Sequence, residues 1–204
     1  MNKEKEASLP VMESFFTIQG EGYNTGKSAY FIRLAGCDVG CHWCDVKESW
    51  EVSENQKKTI EDLILKIENY PVQNCVITGG EPLIYNLDEL CDSLISKKIY
   101  CWLETSGAYS LSGKWDWICL SPKKKMIPKS EILEQAHELK VIIYNTDDFK
   151  WAEQNALKVN KNCLLYLQPE WSVREKMIPK IIAYVKENPK WHISLQTHKY
   201  MNIP

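Results

Sequence analysis

The chain has 204 residues, about the length of one globular domain, so two full domains are not expected. The 25 Lys and Arg residues nearly balance the 27 Asp and Glu residues, and the net charge of -2 disfavours electrostatic binding of nucleic acid or of an anionic membrane. The apolar share of 44% and the charged share of 25% exclude disorder, collagen-like repeats and coiled coils.

The N-terminal sequence lacks the apolar segment of a signal peptide, and no apolar run in the chain exceeds five residues. We therefore expect neither a signal peptide nor a membrane span, and we expect a cytoplasmic location in which thiols stay reduced. In that setting, clustered cysteines among the eight are expected to bind metal or do redox chemistry, whereas scattered ones pack as small apolar side chains.

Seven short runs of apolar, β-branched or aromatic residues predict buried strands, because the runs are nearly continuous instead of alternating. In chain order they are 28–35, 74–78, 100–104, 115–120, 139–144, 163–168 and 191–196. Helical spacing of apolar residues predicts helices at 59–70, 87–98, 129–137, 147–156 and 173–187. Pro179 is expected to kink or interrupt the last helix.

Strands and helices alternate along the chain, which predicts an α/β fold with a parallel sheet and right-handed crossovers. Six or so βα units are too few for an eight-fold barrel, so the barrel is expected to be incomplete. We assign residues 1–204 to a single domain and interpret the polar segment 47–58 as an insertion or loop within it.

A loop after the first predicted strand places Cys37, Cys41 and Cys44 in a C-x3-C-x2-C pattern. Three soft thiolates on one short loop suit a cubane iron–sulfur cluster whose fourth iron stays open to a ligand. Two alternatives remain: a zinc site completed by His42 or a distant residue, and a redox pair of Cys41 with Cys44. The other five cysteines lie among apolar neighbours and are expected to be packing residues: Cys75, Cys91, Cys101, Cys119 and Cys163.

Polar and glycine-rich groups follow several predicted strands, and in a parallel barrel all of them face the carboxyl end, where ligands bind. The groups are 78–82 (TGGEP), 104–107 (ETSG), 121–123 (SPK) and 168–170 (QPE). Upstream, Arg33 interrupts the first strand, and burial of an arginine is costly unless it meets an anion. We therefore interpret Arg33 as a fork for a carboxylate.

The cysteine spacing resembles that of the radical S-adenosylmethionine (SAM) enzymes. Together with QGEG at 19–22, the strand-end groups and the tail LQTHK at 195–199, it resembles the 7-carboxy-7-deazaguanine synthase family over nearly the whole chain. The resemblance implies an incomplete (βα)6-type TIM barrel. It also implies a lyase that converts 6-carboxy-5,6,7,8-tetrahydropterin to 7-carboxy-7-deazaguanine with loss of ammonia. A 5′-deoxyadenosyl radical would start this ring contraction, a step of queuosine and 7-deazapurine biosynthesis.

The resemblance also implies a role for individual residues. Cys37, Cys41 and Cys44 would hold one 4Fe-4S cluster per chain. The residues implied for SAM are Trp43, Asp45, Gly80, Glu81, Ser106, Ser121, Pro122, Lys123 and Gln168. Those implied for the pterin substrate are Ile18, Gln19, Gly20, Glu21, Arg33, Thr78, His198 and Pro204, the last through a carboxylate. The tail 195–204 would close the active site.

Magnesium is a further cofactor that the resemblance implies, because the family usually carries a threonine ligand two residues after the last cysteine. Val46 occupies that position here and offers no oxygen to a hard cation. Mg²⁺ would then be bound by Asp45, by substrate oxygens and water, or be dispensable.

Expected partners are the carboxypterin, a flavodoxin-like electron donor and a second copy of the chain in a homodimer, with no nucleic acid and no membrane. One alternative is a glycyl-radical enzyme activase, which shares the cysteine pattern. Another, of a different class, is a zinc-binding interaction module. The motif upstream of the cysteines and the tail argue against the activase, and the polar strand ends argue against the module.

Overall fold

Nine strands form one mixed sheet in the part of the chain that the computed structural model describes, residues 7–204. The strands are β1 (Ser8–Ile18), β2 (Ser28–Leu34), β3 (Lys57–Thr59), β4 (Asn74–Gly79), β5 (Tyr100–Thr105), β6 (Trp117–Leu120), β7 (Glu138–Ile143), β8 (Leu164–Pro169) and β9 (Trp191–Ile193). Their order in the sheet is β3-β1-β2-β4-β5-β6-β7-β8-β9. From β2 to β9 all neighbours are parallel, whereas β1 is antiparallel to β2 and β3. The predicted α/β fold with an incomplete barrel is confirmed.

Six α-helices connect or follow the strands within the described residues. They are α1 (Ile60–Ile67), α2 (Asp88–Ser96), α3 (Ser130–Gln135), α4 (Asp147–Ala156), α5 (Arg174–Glu187) and α6 (Thr197–Met201). All five predicted helices are present, and α1 begins after Thr59, whose hydroxyl accepts from the Asp62 N–H. No helix in residues 7–204 is long and apolar enough to cross a bilayer.

Helix α5 passes through Pro179 without the interruption that the sequence predicted as one outcome. Proline lacks an N–H and so leaves the carbonyl four residues earlier without its helical donor. That residue is Glu175, in the first turn and exposed to solvent, where water can replace the missing donor. The cost of the proline is therefore small at this position.

Strands β1 and β3 were not predicted from the sequence. The β1 segment mixes Pro10, Glu13 and Ser14 with apolar residues, so it lacks the continuous apolar run of the central strands. The segment 47–58, interpreted as an insertion or loop, forms 3-10 turns at Lys47–Trp50 and Glu54–Gln56 before entering β3. Pairing of β3 with β1 therefore ties this segment into the sheet.

Side chains alternate across the sheet, so each strand serves both the core and the barrel interior. On β2, Tyr30, Ile32 and Leu34 are fully buried in the main hydrophobic core, whereas Phe31 and Arg33 line the interior cavity. The apolar runs predicted the strands correctly, but only the structure separates the two faces.

The β1–β2 loop, residues 19–27, enters the barrel interior. Its Gly22 N–H donates to Ser194 Oγ at 2.9 Å, and the Tyr23 N–H donates to Glu138 Oε2 at 3.0 Å. Gly22 has φ +63°, and a Cβ there would lie 1.9 Å from Glu138 Oε1, so only glycine fits. The loop joins the antiparallel end of the sheet to β7 and to Ser194, the residue that follows β9.

Candidate active site

A cavity of about 280 Å³ opens among the β1–β2 loop, the cysteine loop, the strand ends and the tail. Every site residue predicted from the sequence lines it, with the exception of Pro122. Pro122 lines a smaller neighbouring cavity of about 100 Å³ that shares Trp43, Cys41 and Lys123 with the first. The fold thus gathers residues from position 15 to position 204 around one space.

The three clustered cysteines face this cavity, whereas the five scattered ones are buried. Burial raises the pKa of the Cys37 and Cys41 thiols. Backbone bonds anchor the loop at its start, since the Gly36 N–H donates to Ser49 O at 2.7 Å and the Cys37 N–H donates to Trp50 O at 3.3 Å. Within residues 7–204, no three His, Cys, Asp or Glu side chains converge as a single metal ion would require.

The residues around the cysteine loop fit an iron–sulfur cluster by their chemistry. Three soft thiol donors on one short loop match the donor set of such clusters. Gly80 lets the TGGEP turn pack closely against the start of the cysteine loop. A Cβ at position 80 would lie 2.7 Å from Cys37 Cβ and 2.3 Å from Gly36 O. A larger residue at position 80 would displace the loop that carries the thiols.

Glu81 is the most completely bonded carboxylate of the site and is only 1% exposed. It accepts from Thr105 Oγ1 at 2.6 Å, from the Ser106 N–H at 2.8 Å and from the Leu83 N–H at 3.1 Å. The Ser106 hydroxyl donates to it as well. Because these donors belong to the protein, the carboxylate joins the end of β4 to the end of β5 and positions Gly80 and Ser106.

The buried ammonium of Lys140 on β7 lies between two carboxylates. Its Nζ is 2.6 Å from Glu21 Oε2 and 2.9 Å from Glu104 Oε2. Burial would raise the pKa of Glu21, but Lys140, Gln196 and His198 outweigh this effect and lower it to about 2. Burial opposes the charged form of Lys140, yet Cys119 and the surrounding carboxylates raise its pKa well above the usual value.

Glutamines complete this ionic cluster from two elements. Gln19 Nε2 donates to Glu104 Oε1 at 3.2 Å, and Gln196 Nε2 donates to Glu21 Oε1 at 2.9 Å. Gln19 also accepts from the Glu21 N–H at 3.0 Å through its own Oε1. All four carboxylate oxygens of Glu21 and Glu104 therefore have a donor within the protein.

The tail packs directly on the β1–β2 loop. The N–H and the hydroxyl of Thr197 both donate to Gly20 O, at 2.9 and 3.0 Å. Gly20 leaves no room for a side chain beside His198, whose pKa is lowered by burial. Pro204 O accepts from Thr17 Oγ1 at 3.3 Å, which brings Pro204 to the cavity.

Arg33 lines the cavity, as the sequence predicted, and has a protein partner that the sequence did not indicate. Its Nε donates to Glu13 Oε1 at 2.6 Å across the β1–β2 pair. The two terminal nitrogens make no hydrogen bond to the described residues. Arg33 therefore keeps a donor edge for an anionic ligand while Glu13 fixes its orientation.

The residues predicted for SAM, apart from Pro122, line the cavity together with the cysteine loop. Lys123 Nζ donates to Ser121 Oγ at 2.6 Å and lies 5.5 Å from the Trp43 ring centre. Gln168 Oε1 accepts from Ser194 Oγ at 2.6 Å. Asp45 Oδ2 accepts from Lys199 Nζ at 3.0 Å and from Gln196 Nε2 at 3.3 Å, so it joins the cysteine loop to the tail.

Sequence reasoning missed Glu104, Lys140 and Gln196 as site residues. A lysine within the apolar run 139–144 is the same signal that singled out Arg33, and it would have predicted a buried anion partner for Lys140. Glu104 was noted at a strand end but received no role. Gln196 lies in the tail motif 195–199, but that motif gives no indication of its partner, and only the folded tail brings it to Glu21.

Comparison with known proteins agrees with this arrangement. Residues 31–120 match the family model described as the Radical SAM superfamily. The 7-carboxy-7-deazaguanine synthase of Flavobacterium psychrophilum is 56% identical over 98% of this chain and 95% of its own length. That of Synechocystis is 46% identical over 96% and 94%. The crystal structure of QueE from Escherichia coli has a TM-score of 0.85 at 32% identity, covering 92% of this chain and 93% of that one.

Proposed function

This chain belongs to the 7-carboxy-7-deazaguanine synthase family of the radical SAM superfamily, and we propose that it performs the family's reaction. It would convert 6-carboxy-5,6,7,8-tetrahydropterin to 7-carboxy-7-deazaguanine with loss of ammonia. The observation that carries the proposal is the single cavity shared by the three clustered thiols, Arg33 and the Glu21 carboxylate. The two alternatives, an activase and a zinc module, give no role to the β1–β2 loop or to the tail. Both of these segments line the cavity.

Membership of the superfamily implies a 4Fe-4S cluster and SAM. We assign the cluster to Cys37, Cys41 and Cys44. Bound together, the cluster and SAM supply the 5′-deoxyadenosyl radical that starts such reactions. The chain's own residues would bind and orient SAM and exclude water from it. Lys123 offers a cation, Trp43 offers an aromatic face, and the amide of Gln168 offers hydrogen bonds.

We propose that the pterin lies between two groups of opposite charge in the cavity, Arg33 and Glu21. Its carboxylate suits the donor edge of Arg33, and its amino-pyrimidinone edge carries adjacent N–H donors that suit carboxylate acceptors such as Glu21. We also assign six further cavity-lining residues to the pterin site: Ile18, Gln19, Gly20, Thr78, His198 and Pro204. The enzyme is proposed to act in the cytoplasm as a homodimer, with a flavodoxin-like electron donor.

Anaerobic reconstitution with iron and sulfide tests the function. We expect a brown protein that absorbs near 400 nm and, with SAM and a reductant, converts the carboxypterin to a product lighter by one ammonia. Because loss of ammonia changes no oxidation state overall, 5′-deoxyadenosine is not expected as a stoichiometric product. A colourless protein with one zinc ion, or release of 5′-deoxyadenosine that depends on a partner protein instead of the pterin, would contradict the proposal.

Arg33→Lys gives a prediction about the carboxylate end. Lysine keeps the charge but loses the planar fork that lets Arg33 bond Glu13 through Nε and still present its terminal nitrogens, so KM for the carboxypterin should rise by about tenfold or more with kcat changed less. Steady-state kinetics with the carboxypterin and with its decarboxylated analogue checks this. The analogue should bind the variant and the parent protein equally, and an equal loss for both ligands would argue against the assignment.

The residues present do not fit a magnesium site of the family type. Val46 lines the cavity without an oxygen, and Asp45 already pairs with Lys199. We therefore expect EDTA or added Mg²⁺ to change turnover by less than about twofold. The variant Val46→Thr, which restores a hydroxyl at this position, serves as the comparison. A parent protein that loses turnover in EDTA and regains it with Mg²⁺ would refute this expectation.

A further inference from the structure

Lys140 lies in the wall of the cavity, and neither the binding of SAM nor that of the pterin as proposed makes direct use of it. The residue is 3% exposed, and an ammonium buried to this degree needs compensating anions. It has two of them, Glu21 from the β1–β2 loop and Glu104 from β5. Neither carboxylate is fully covered, since their side chains are 18% and 21% exposed and both line the cavity.

The hydrogen bonds to these carboxylates define how much acceptor capacity they retain for a ligand. Each of their four oxygens has one protein donor, from Lys140, Gln19 or Gln196. An ionised carboxylate oxygen has two lone pairs, so each keeps acceptor capacity toward the cavity. A protonated carboxyl would present a donor instead. The two acids therefore present their full set of acceptors to a ligand only while both are ionised.

Two carboxylates that share one neighbour repel each other, and without a cation one of them would take up a proton. The charged or titratable groups facing Lys140 are Glu21, Glu104, Cys119, Glu138, Lys123 and His198. Burial raises the pKa of Cys119 and of Glu138, so neither is a better anion than the two acids in contact. Lys140 is thus the cation in contact with both acids that offsets their mutual repulsion.

We infer that Lys140 is a positioning residue that fixes Glu21 and Glu104 as a pair of ionised acceptors and so selects a ligand with an N–H donor edge. The inference rests on the proposed function, which names the amino-pyrimidinone edge of the pterin as that donor edge. Lysine 140 acts through the two carboxylates and supplies no group to the reacting atoms.

The experiment compares K140M with the parent holoenzyme from pH 6.5 to 8.5. In the parent protein KM for the carboxypterin should be flat, because the pKa of Glu21 is about 2. In K140M the loss of the ammonium removes the main cause that lowers the pKa of Glu21, so KM should be at least about tenfold higher at pH 6.5 and should fall as the pH rises. The kcat should change less than KM.

A second arm uses an analogue of the carboxypterin that lacks the exocyclic amino group. The parent protein should bind it about 100-fold more weakly than the carboxypterin, because buried acceptors would lose their donor. In K140M at pH 6.5 this discrimination should shrink to less than about tenfold. Such a change is one that mere loss of stability would not produce.

The matched control is K190M. Lys190 also forms a 2.6 Å ion pair with a glutamate, Glu153, but its side chain is 51% exposed and lies outside the cavity. Its KM profile should match that of the parent protein. Where K140M does not fold, K140Q replaces it, since an amide can donate to the acids without charge and should show the same pH dependence.

The double variant K140M/E104Q adds a further check. With the second acid neutral, Glu21 loses its repulsive neighbour, so the pH dependence of KM should shrink relative to K140M. A flat KM and full discrimination in both K140M and K140Q would overturn the inference while leaving the function intact. A parent holoenzyme that never turns over the carboxypterin would instead overturn the proposed function.

Discussion

Replacement of Cys37, Cys41 or Cys44 by alanine is expected to abolish both the absorbance near 400 nm and product formation after anaerobic reconstitution. Each of the three thiols faces the cavity, and two remaining thiolates cannot supply the three-cysteine donor set. Iron and sulfide analysis, together with the yield of the product lighter by one ammonia, measures the effect. The protein itself should still fold, because the loop is tied down by its backbone bonds to Ser49 and Trp50.

Cys163→Ala is the matched control for this series. Cys163 is buried in the hydrophobic core, away from the cavity, so its loss should leave the absorbance and the turnover intact. It should cost about 1 kcal/mol of unfolding free energy through a small void. Normal turnover in any of the three loop variants would refute the assignment of the ligands, and so would loss of the cluster in Cys163→Ala.

The second large effect is expected for Glu81→Ala. The substitution leaves the Thr105 hydroxyl and the Leu83 and Ser106 N–H groups without their acceptor in a buried site. Unpaired buried donors of this kind should cost about 3 kcal/mol in total, which lowers the melting temperature by roughly 6–12 °C for a chain of this size. SAM affinity should fall as well, because Gly80 and Ser106 lose their common support.

Thermal melts and SAM binding by anaerobic titration separate the two consequences. Glu131→Ala is the control, since Glu131 accepts from one backbone N–H, that of Leu111 at 2.9 Å, and lies outside the cavity. It should lower the melting temperature less than half as much and leave SAM affinity unchanged. Equal effects of the two substitutions on melting temperature and SAM affinity would show that Glu81 does not support the residues proposed to bind SAM.

The sequence predicted the parallel strands because their apolar runs are continuous, and it predicted the helices because their apolar residues recur at helical spacing. It did not predict β1, in which Glu13 and Ser14 break the apolar run. This strand forms because it pairs with β2. Pairing between segments cannot be predicted from the local pattern of apolar residues.

At the site, local motifs predicted the residues that one loop contributes, such as the cysteines and Glu21. They did not predict contacts between distant elements. The pair Lys140 with Glu104 depends on how β5 and β7 are placed in the sheet, and the pair Gln196 with Glu21 depends on the position of the tail. Likewise, Glu81 has the residue type of a ligand contact, but only the structure shows that protein donors surround it.

The contact between the tail and the β1–β2 loop has a consequence for biosynthesis of the protein. Gly20 O accepts from Thr197, and Glu21 accepts from Gln196, so the cavity wall joins two segments about 175 residues apart. During translation the earlier elements emerge and can fold first. The cysteine loop is thus made long before the cavity can close, and a nascent chain still lacking α6 has no complete substrate site.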